Sequence, residues 1–392
     1  MFNRIIISKI FSVTLAVNCL ATYAAIQEQT TQTIDVFEYQ NPISNGIRPM
    51  GIRDSQIFKD GNTWYMTGTD VPFWQTEKNK ADVLFEGVPL YKSENLLDWE
   101  FLDHIIKRPS KDKWFYRPFW AAEIHKINGK YYAVFSSANR DKNIGLSVGY
   151  AVANSVEGPY TMVTNDKPLT NGNDLSFFVD DDSKVWAFWN RGQAFGIGFA
   201  QVDLDTATFL TEPKSAIRPG DISYVHDENG TVVMETIGKE SVVGSGREKK
   251  KVDKFHHWDS EGIEGAYVIK RNDIYYLFYS SWTRGYEIGY ATSRKITGPW
   301  TKADHNPIYG SQNKSVLKKK GMEFTGDPDN PFQAVGHNEV FIGPDGRHWL
   351  SAHGIIKGQS PFLVIDPINF DTNGKITVDG PTYTKQTIPL NE

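Results

Sequence analysis

One cysteine, Cys19, is all that the 392 residues contain, and it sits in a segment that reads as removable. Arg4 and Lys9 open a positively charged stretch, Ile10 to Leu20 is mostly apolar, and Ala21, Ala24 and Ala25 supply small residues for a peptidase. That is the three-part pattern of an export signal. Residues 1–25 therefore read as a signal peptide, and residues 26–34, polar and rich in Gln and Thr, as a short linker. Cleavage after Ala24 or Ala25 leaves no cysteine, which excludes disulfides, thiol nucleophiles and cysteine-ligated zinc. The rival reading is a lipid anchor on Cys19, but Val17 and Asn18 before it are poor matches to the small residue expected there. The apolar run is too short to span a bilayer as a helix. A charge surplus of one sign is lacking too: 42 Lys and Arg face 47 Asp and Glu, for a net charge of −5. Nothing in that balance points to nucleic acid. The expectation is an exported protein, periplasmic or secreted.

Helical periodicity is scarce, and aromatic residues are plentiful: 11 Trp, 18 Tyr and 23 Phe. Most suit the packing of β-sheets, and some suit stacking on flat ligand faces. A hairpin pattern recurs five times, as SQIFKDGNTWYMTGT from Ser55, EIHKINGKYYAVFSS from Glu123, LSFFVDDDSKVWAFW from Leu175, AYVIKRNDIYYLFYSS from Ala266 and NEVFIGPDGRHWLSAHG from Asn338. Each places β-branched or aromatic residues before a turn built on Asp, Asn, Gly or Ser, the residues that accept the left-handed backbone of tight hairpins. Further strands follow from Val88, Gly145, Gly196, Glu287 and Pro361. Hairpin plus hairpin makes a four-stranded antiparallel sheet, and five such sheets in one chain predict an all-β fold, a five-bladed β-propeller. A β-sandwich is the alternative on pattern alone. A single domain is expected over residues 35–392.

In a propeller the innermost strand of every blade lines a central channel, so residues at the strand entrances converge on one mouth. Three acids stand there, Asp54 in GIRDSQIF, Asp174 in GNDLSFFVDDD and Glu264 in GIEGAYVIK. Each alone is as readily a solvated turn residue or a cap. Three in what reads as the same register point to a shared site. If they converge, two carboxyl groups of opposite protonation can serve as a general acid and a general base.

Arg53-Asp54 before a strand, Trp120-Ala-Ala-Glu123, Asp174-Leu-Ser-Phe-Phe, Glu264-Gly-Ala-Tyr with VIKRNDIYYLFYSS, GYATSRKITGPW and Gly336-His337-Asn-Glu-Val-Phe together resemble glycoside hydrolase family 43. The resemblance covers about Ile47 to Gly354. It implies a five-bladed propeller acting on arabinose-, xylose- or galactose-containing polysaccharides or their oligosaccharides with inversion. It also implies Asp54 as general base, Asp174 as the carboxylate that tunes and orients, and Glu264 as general acid. Asp174 and partial burial would keep Glu264 protonated, while Asp54, beside Arg53 and facing water, would stay ionised. His337 stands where the resemblance implies a channel histidine that orients a carboxylate or lies near a structural calcium ion. No cofactor is required. The family pattern is departed from beside the acids: Ser55, Ala266 and Tyr267 stand where Pro, Pro and His are common, and Trp120-Ala-Ala122-Glu lacks a Pro. These departures bear on substrate identity more than on the reaction.

Arg53, Trp74, Trp120, Glu123, Trp282 and His337 are the expected substrate contacts, with Trp114, Phe115 and Tyr286 as further rings on that side. Glu123 reads equally as an edge residue. Glu261 and Asp259 are fallback acids. His256 and His257 are adjacent and cannot readily face one zinc ion. The runs Arg247–Lys251 and Lys318–Lys320 read first as solvated surface and otherwise as contacts for an anionic glycan. Two further readings are a related propeller glycosidase on anhydro- or sulfated galactans and a carbohydrate-binding propeller without turnover. Long loops after Thr69 and Lys107 favour exo action.

Overall fold

The hairpin turns form where the sequence supplies residues tolerant of positive φ. Asn128 and Gly129 take φ of 50° and 79°, and Asn272 and Asp273 take 50° and 58°, two consecutive left-handed residues that match the twist of the flanking strands. In this computed structural model, which describes residues 3–7, 32–70, 86–192, 195–220, 222–226, 232–236 and 258–390, five such hairpins grow into five antiparallel sheets arranged as a β-propeller.

Blade 1 runs through Ile52–Asp60, Thr63–Asp70, Gly87–Ser93 and Glu100–Lys107. Blade 2 begins with Trp120–Ile127 and Lys130–Asn139, blade 3 with Asn173–Val179 and Val185–Asn190, blade 4 with Glu264–Arg271 and Ile274–Ser281, and blade 5 with Phe332–Ile342 and His348–Ile356. Each is completed by the strands that follow it in the chain. Alternation along the strands sends apolar residues to both faces of a blade, because each blade is covered by two neighbours. The core is accordingly divided into five apolar clusters, one for each pair of adjacent blades. Val88 and Leu90 of blade 1 meet Phe119, Ile124 and Phe135 of blade 2, and Phe188 and Phe199 of blade 3 meet Leu277 and Tyr279 of blade 4.

The ring closes without exchanging a strand between the first and last blades. Gln32–Tyr39 pairs with Gln386–Pro389, and Phe37, Tyr39 and Ile43 join the cluster of Trp64, Trp349 and Leu363 between blades 5 and 1. Gln32–Tyr39 also pairs with Asn3–Ile7 on its other edge. The strand Gln32–Tyr39 begins within the segment 26–34 expected as a linker. The polar run Lys318–Lys320 belongs to a helix, Lys314–Lys320, whose first turn is capped by Asn313 Oδ1 accepting from the Ser315 and Val316 amides. Its lysines lie in the last turn, where the helix dipole favours cations, and Lys320 pairs with Glu261 at 2.7 Å. Trp74, the run Arg247–Lys251 and His256–His257 lie outside the described residues.

Asp366, fully buried, ties the closure together. It accepts hydrogen bonds from Tyr39 Oη (2.7 Å), Tyr309 Oη (2.6 Å), Thr382 Oγ1 (2.6 Å) and the Thr382 amide (3.0 Å). It thereby joins the first segment, blade 4, blade 5 and the C-terminal segment. Asp366→Ala leaves those donors without an acceptor in a dry site and is expected to cost about 3 kcal/mol or more. Tyr39→Phe removes one donor and is expected to cost about 1 kcal/mol. Urea unfolding checks the order, and equal midpoints for the two variants would show that Asp366 does not hold the closure.

Candidate active site at the channel mouth

Every innermost strand carries a bulge at the same height: between Arg53 and Gln56, Trp120 and Glu123, Asn173 and Ser176, Glu264 and Tyr267, and Gly336 and Glu339. The first residue of each bulge is left-handed. These are Asp54 (φ 54°), Ala121 (45°), Asp174 (57°), Gly265 (63°) and His337 (58°). Gly, Asp and His tolerate that region better than β-branched residues do. The bulge turns the amide of this residue out of its own sheet, and a side chain next to it in the ring accepts it. Ala121 N donates to Thr69 Oγ1 (2.7 Å), Asp174 N to Ser136 Oγ (2.8 Å), His337 N to Ser280 Oγ (2.9 Å) and Asp54 N to His353 Nδ1 (3.1 Å). At the fourth blade Gly265 N donates to Asp174 Oδ2 at 3.2 Å.

The three acids are thus brought together, but not in the common register expected from their spacing. Asp54 and Asp174 are bulge residues; Glu264 stands one position earlier, level with Arg53, Trp120, Asn173 and Gly336. The left-handed position of blade 4 is taken by Gly265 instead. Asp54 is also not a water-facing residue: its side chain is 12% exposed.

Burial acts on all three carboxyl groups in the same direction, and their neighbours decide the outcome. Burial would raise Asp54, but the charges of His337 and Arg53 and the Thr69 hydroxyl bring it down to about 2. Thr69 Oγ1 donates to Asp54 Oδ2 at 2.5 Å, and Nδ1 of both histidines lies 3.4 Å from Asp54 Oδ1. Asp174 is raised to about 7, by burial first and then by the charge of Glu264. Glu264 is raised too, chiefly by burial; the His337 charge and the Tyr286 hydroxyl, which donates to Oε1 at 2.5 Å, pull the other way. Asp174 Oδ2 receives N–H bonds from Asn173 (2.8 Å) and Gly265, which suit its anion. The proton that the pair keeps therefore belongs on Glu264, the more open of the two. The acids around His337 outweigh its burial and raise its pKa, whereas burial and Arg53 keep His353 neutral.

Of the remaining residues expected at the mouth, Arg53 and Trp120 share the level of Glu264, and Trp282 lies against Gly262 just before it. Glu123 does not reach the mouth. Two residues below the Ala121 position and 2% exposed, it lies 2.7 Å from His125 Nε2, beside the buried Glu339, whose carboxyl is held well above its usual range by burial and by Glu123. Trp114 and Phe115 are core residues between blades 1 and 2. Asp259 is an internal anchor bound by Lys302 and Tyr279. Tyr286, expected as a further ring on the substrate side, is buried against Glu264. Thr69, Ser136, Asn173 and His353 carry no motif of their own; only their equivalent places on the blades would have marked them.

Asp174, Glu264 and His337 offer ligand atoms within 4.8 Å of one another. A cation bound directly there would compete with the proton on Glu264 and with the charge that the surrounding acids favour on His337. In the second acidic group, Asp70, Glu86 and His104, the cation is Arg48, 2.8 Å from Asp70 and 2.9 Å from Glu86.

The model of glycosyl hydrolases family 43 matches residues 39–376. A non-reducing end α-L-arabinofuranosidase of Bacteroides ovatus is 23% identical over 87% of this chain and 54% of its own length. This chain thus spans about half of that relative. An extracellular exo-α-(1→5)-L-arabinofuranosidase of Cellvibrio japonicus is 24% identical over 84% of this chain and 86% of its own. A thermostable family-43 glycoside hydrolase of known structure superposes with a TM-score of 0.64 over 90% of this chain and all of its own, at 24% identity. Among the described residues no helix is long and apolar enough to cross a membrane.

The protonation pattern predicts a pH profile. Asp54 is ionised at every pH above about 2, so the acid limb lies very low. Burial holds the proton of the pair above the ordinary carboxylate range, so the basic limb of kcat/KM on a glycoside substrate lies above that range, falling by about tenfold per unit as the pH rises through it. Asp174→Asn removes the charge that opposes ionisation of Glu264 and moves this limb to lower pH. Tyr286→Phe removes a donor that favours the Glu264 anion and moves it to higher pH. Limbs unmoved in both variants would place the essential proton elsewhere.

Proposed function

The chain belongs to glycosyl hydrolases family 43, and from that membership and the mouth geometry we propose an exported, inverting, exo-acting hydrolase of pentosyl or galactosyl linkages. Terminal α-L-arabinofuranosyl groups of polysaccharides or their oligosaccharides come first as substrates. The observation that carries the reading is the unlike surroundings of two acids in one mouth: Asp54 Oδ1 lies 3.4 Å from His337 Nδ1 with Arg53 beside it in the chain, which favours its anion, and Glu264 lies half-buried within 4.8 Å of Asp174, which favours a proton on it. In this mechanism Glu264 gives its proton to the glycosidic oxygen as the bond to the anomeric carbon breaks. Asp54 takes a proton from the water that attacks that carbon from the opposite face. Asp174 stays between them as an anion that raises Glu264 and holds the Gly265 amide. No cofactor takes part.

Exo action and the arabinofuranosyl preference rest on the two relatives, both named for release of terminal arabinofuranose. Export rests on residues 1–25 and on the word extracellular in the second name. Loss of residues 1–25 would remove Asn3–Ile7, yet Gln32–Tyr39 would remain held by Gln386–Pro389.

A panel of aryl glycosides with arabinan, xylan and galactan oligosaccharides tests the reading. Asp54→Asn and Glu264→Gln are each expected to lower kcat by about a thousandfold or more, since each removes one half of an acid–base pair. Unchanged turnover in both would sink the assignment. Proton NMR is expected to show the inverted anomer first and a single sugar as first product; net retention overturns the mechanism, and oligosaccharides as first products make it an endo enzyme. N-terminal sequencing of exported protein is expected to begin at residue 25 or 26. An acylated Cys19 would make it a lipoprotein, and an intact Met1 would refute processing.

A further inference from the structure

A second cleft, of about 750 Å³, lies at the opposite end of blade 4 from Glu264. Ile274 lines the cleft, and Ser280, six residues along the same strand, pairs with Glu264; at strand rise the two ends are about 20 Å apart. Blades 4 and 5 build its walls, and the walls are fixed. Tyr276 Oη donates to the Gly374 carbonyl at 3.0 Å, and the Ile376 amide donates to Tyr290 Oη at 3.1 Å, so two tyrosines of blade 4 hold the turn of blade 5. Gly374 has φ of 83°, and a Cβ there would lie 2.3 Å from the Tyr276 hydroxyl; this wall needs a glycine to dock. On the other side Lys302 is tied to Asp259 and the Gly220 carbonyl.

The rim is cationic in a chain whose net charge is −5. Arg294, Lys295 and Lys375 are exposed and line the cleft, and none of them pairs with a described carboxylate. The one acid in the lining, Asp304, lies 3.0 Å from His305 Nδ1. Between the cations lie apolar surfaces of Ile274, Pro299 and Ala303. A preformed cleft within the usual range of ligand sites, apolar within and carrying unpaired guanidinium and ammonium groups at its edge, suits a ligand of sugar rings bearing carboxylates, which Arg can grip in a bidentate way. Duplex nucleic acid would need a longer basic track than three side chains.

We propose that this cleft binds a uronate-bearing segment of polysaccharide and anchors the protein on an acidic polymer while the Glu264 end removes neutral sugars from it. The proposal rests on the reading of the protein as a polysaccharide hydrolase, and its test separates the two. Native gels cast with polygalacturonate are expected to retard the full-length protein, and gels cast with neutral arabinan to retard it much less. The double variant Arg294→Ser/Lys375→Ser is expected to bind polygalacturonate at least tenfold more weakly, and added salt to weaken the wild type. Hydrolysis of a small aryl arabinofuranoside is expected to stay unchanged in that variant. Equal retardation of variant and wild type overturns the proposal, as does absence of retardation by polygalacturonate. Binding of duplex DNA or of phosphatidylglycerol vesicles through the same residues, without polygalacturonate binding, overturns it as well. Polygalacturonate binding that depends on these residues in a protein that hydrolyses no glycoside would keep the cleft and remove the proposed activity.

Discussion

The mouth depends on where five backbone amides go. A bulge in each innermost strand frees the N–H of its left-handed residue from the sheet ladder, and a buried amide without an acceptor is costly. Four of the five acceptors sit at one structural position, the residue facing the strand entrance on the second strand of the preceding blade: Thr69, Ser136, Ser280 and His353. The ring of blades and the alignment of the mouth are therefore fixed by the same bonds. At the remaining step Asn190 occupies that position but accepts from the Gly192 amide, and Asp174 takes the Gly265 N–H instead. A carboxylate of the site replaces a structural acceptor there, which couples its charge to the strand that carries Glu264.

That coupling explains how one mouth sustains two protonation states. Asp54 and Asp174 occupy equivalent positions on blades 1 and 3 with similar burial, so the backbone does not distinguish them. Asp54 faces the two histidines at 3.4 Å and has Arg53 beside it, whereas Asp174 faces Glu264. The histidines differ in turn. His353 accepts the Asp54 amide at Nδ1 and is kept neutral, leaving His337 to carry the positive charge among Asp54, Asp174 and Glu264.

The blades were legible because a hairpin is a local event. Asn-Gly, Asn-Asp and Asp-Gly favour left-handed turns through their own residues, and five copies of the hairpin favour a propeller over a β-sandwich. The site was legible in its acids but not in its register, because a bulge shifts the count by one and only Gly265 hinted at it. What could not be read was set by neighbours distant in sequence. Tyr286 looks like any exposed aromatic until blade 4 folds it back on Glu264, and Glu123 looks like an acid at a strand entrance until the Ala121 bulge carries it below the mouth. Thr69 and Ser136 act through blades other than their own, which no local pattern records.

The residues beside the acids acquire a different meaning in this geometry. Ser55 and Ala266 follow the bulge positions and point into the packing: Ser55 is fully buried, with its carbonyl bound by Ser351, and Ala266 belongs to the cluster between blades 3 and 4. Tyr267 turns down the channel, stacked on His125 at 6.4 Å. None of the three stands at the level of Glu264, so their departure from the family pattern bears first on how the blades pack. Arg53, Trp120 and Asn173 stand at the level of Glu264, one on each of the first three blades. A cation, a flat ring and an amide are thereby spaced around the acid, and the bulges bring them to one height.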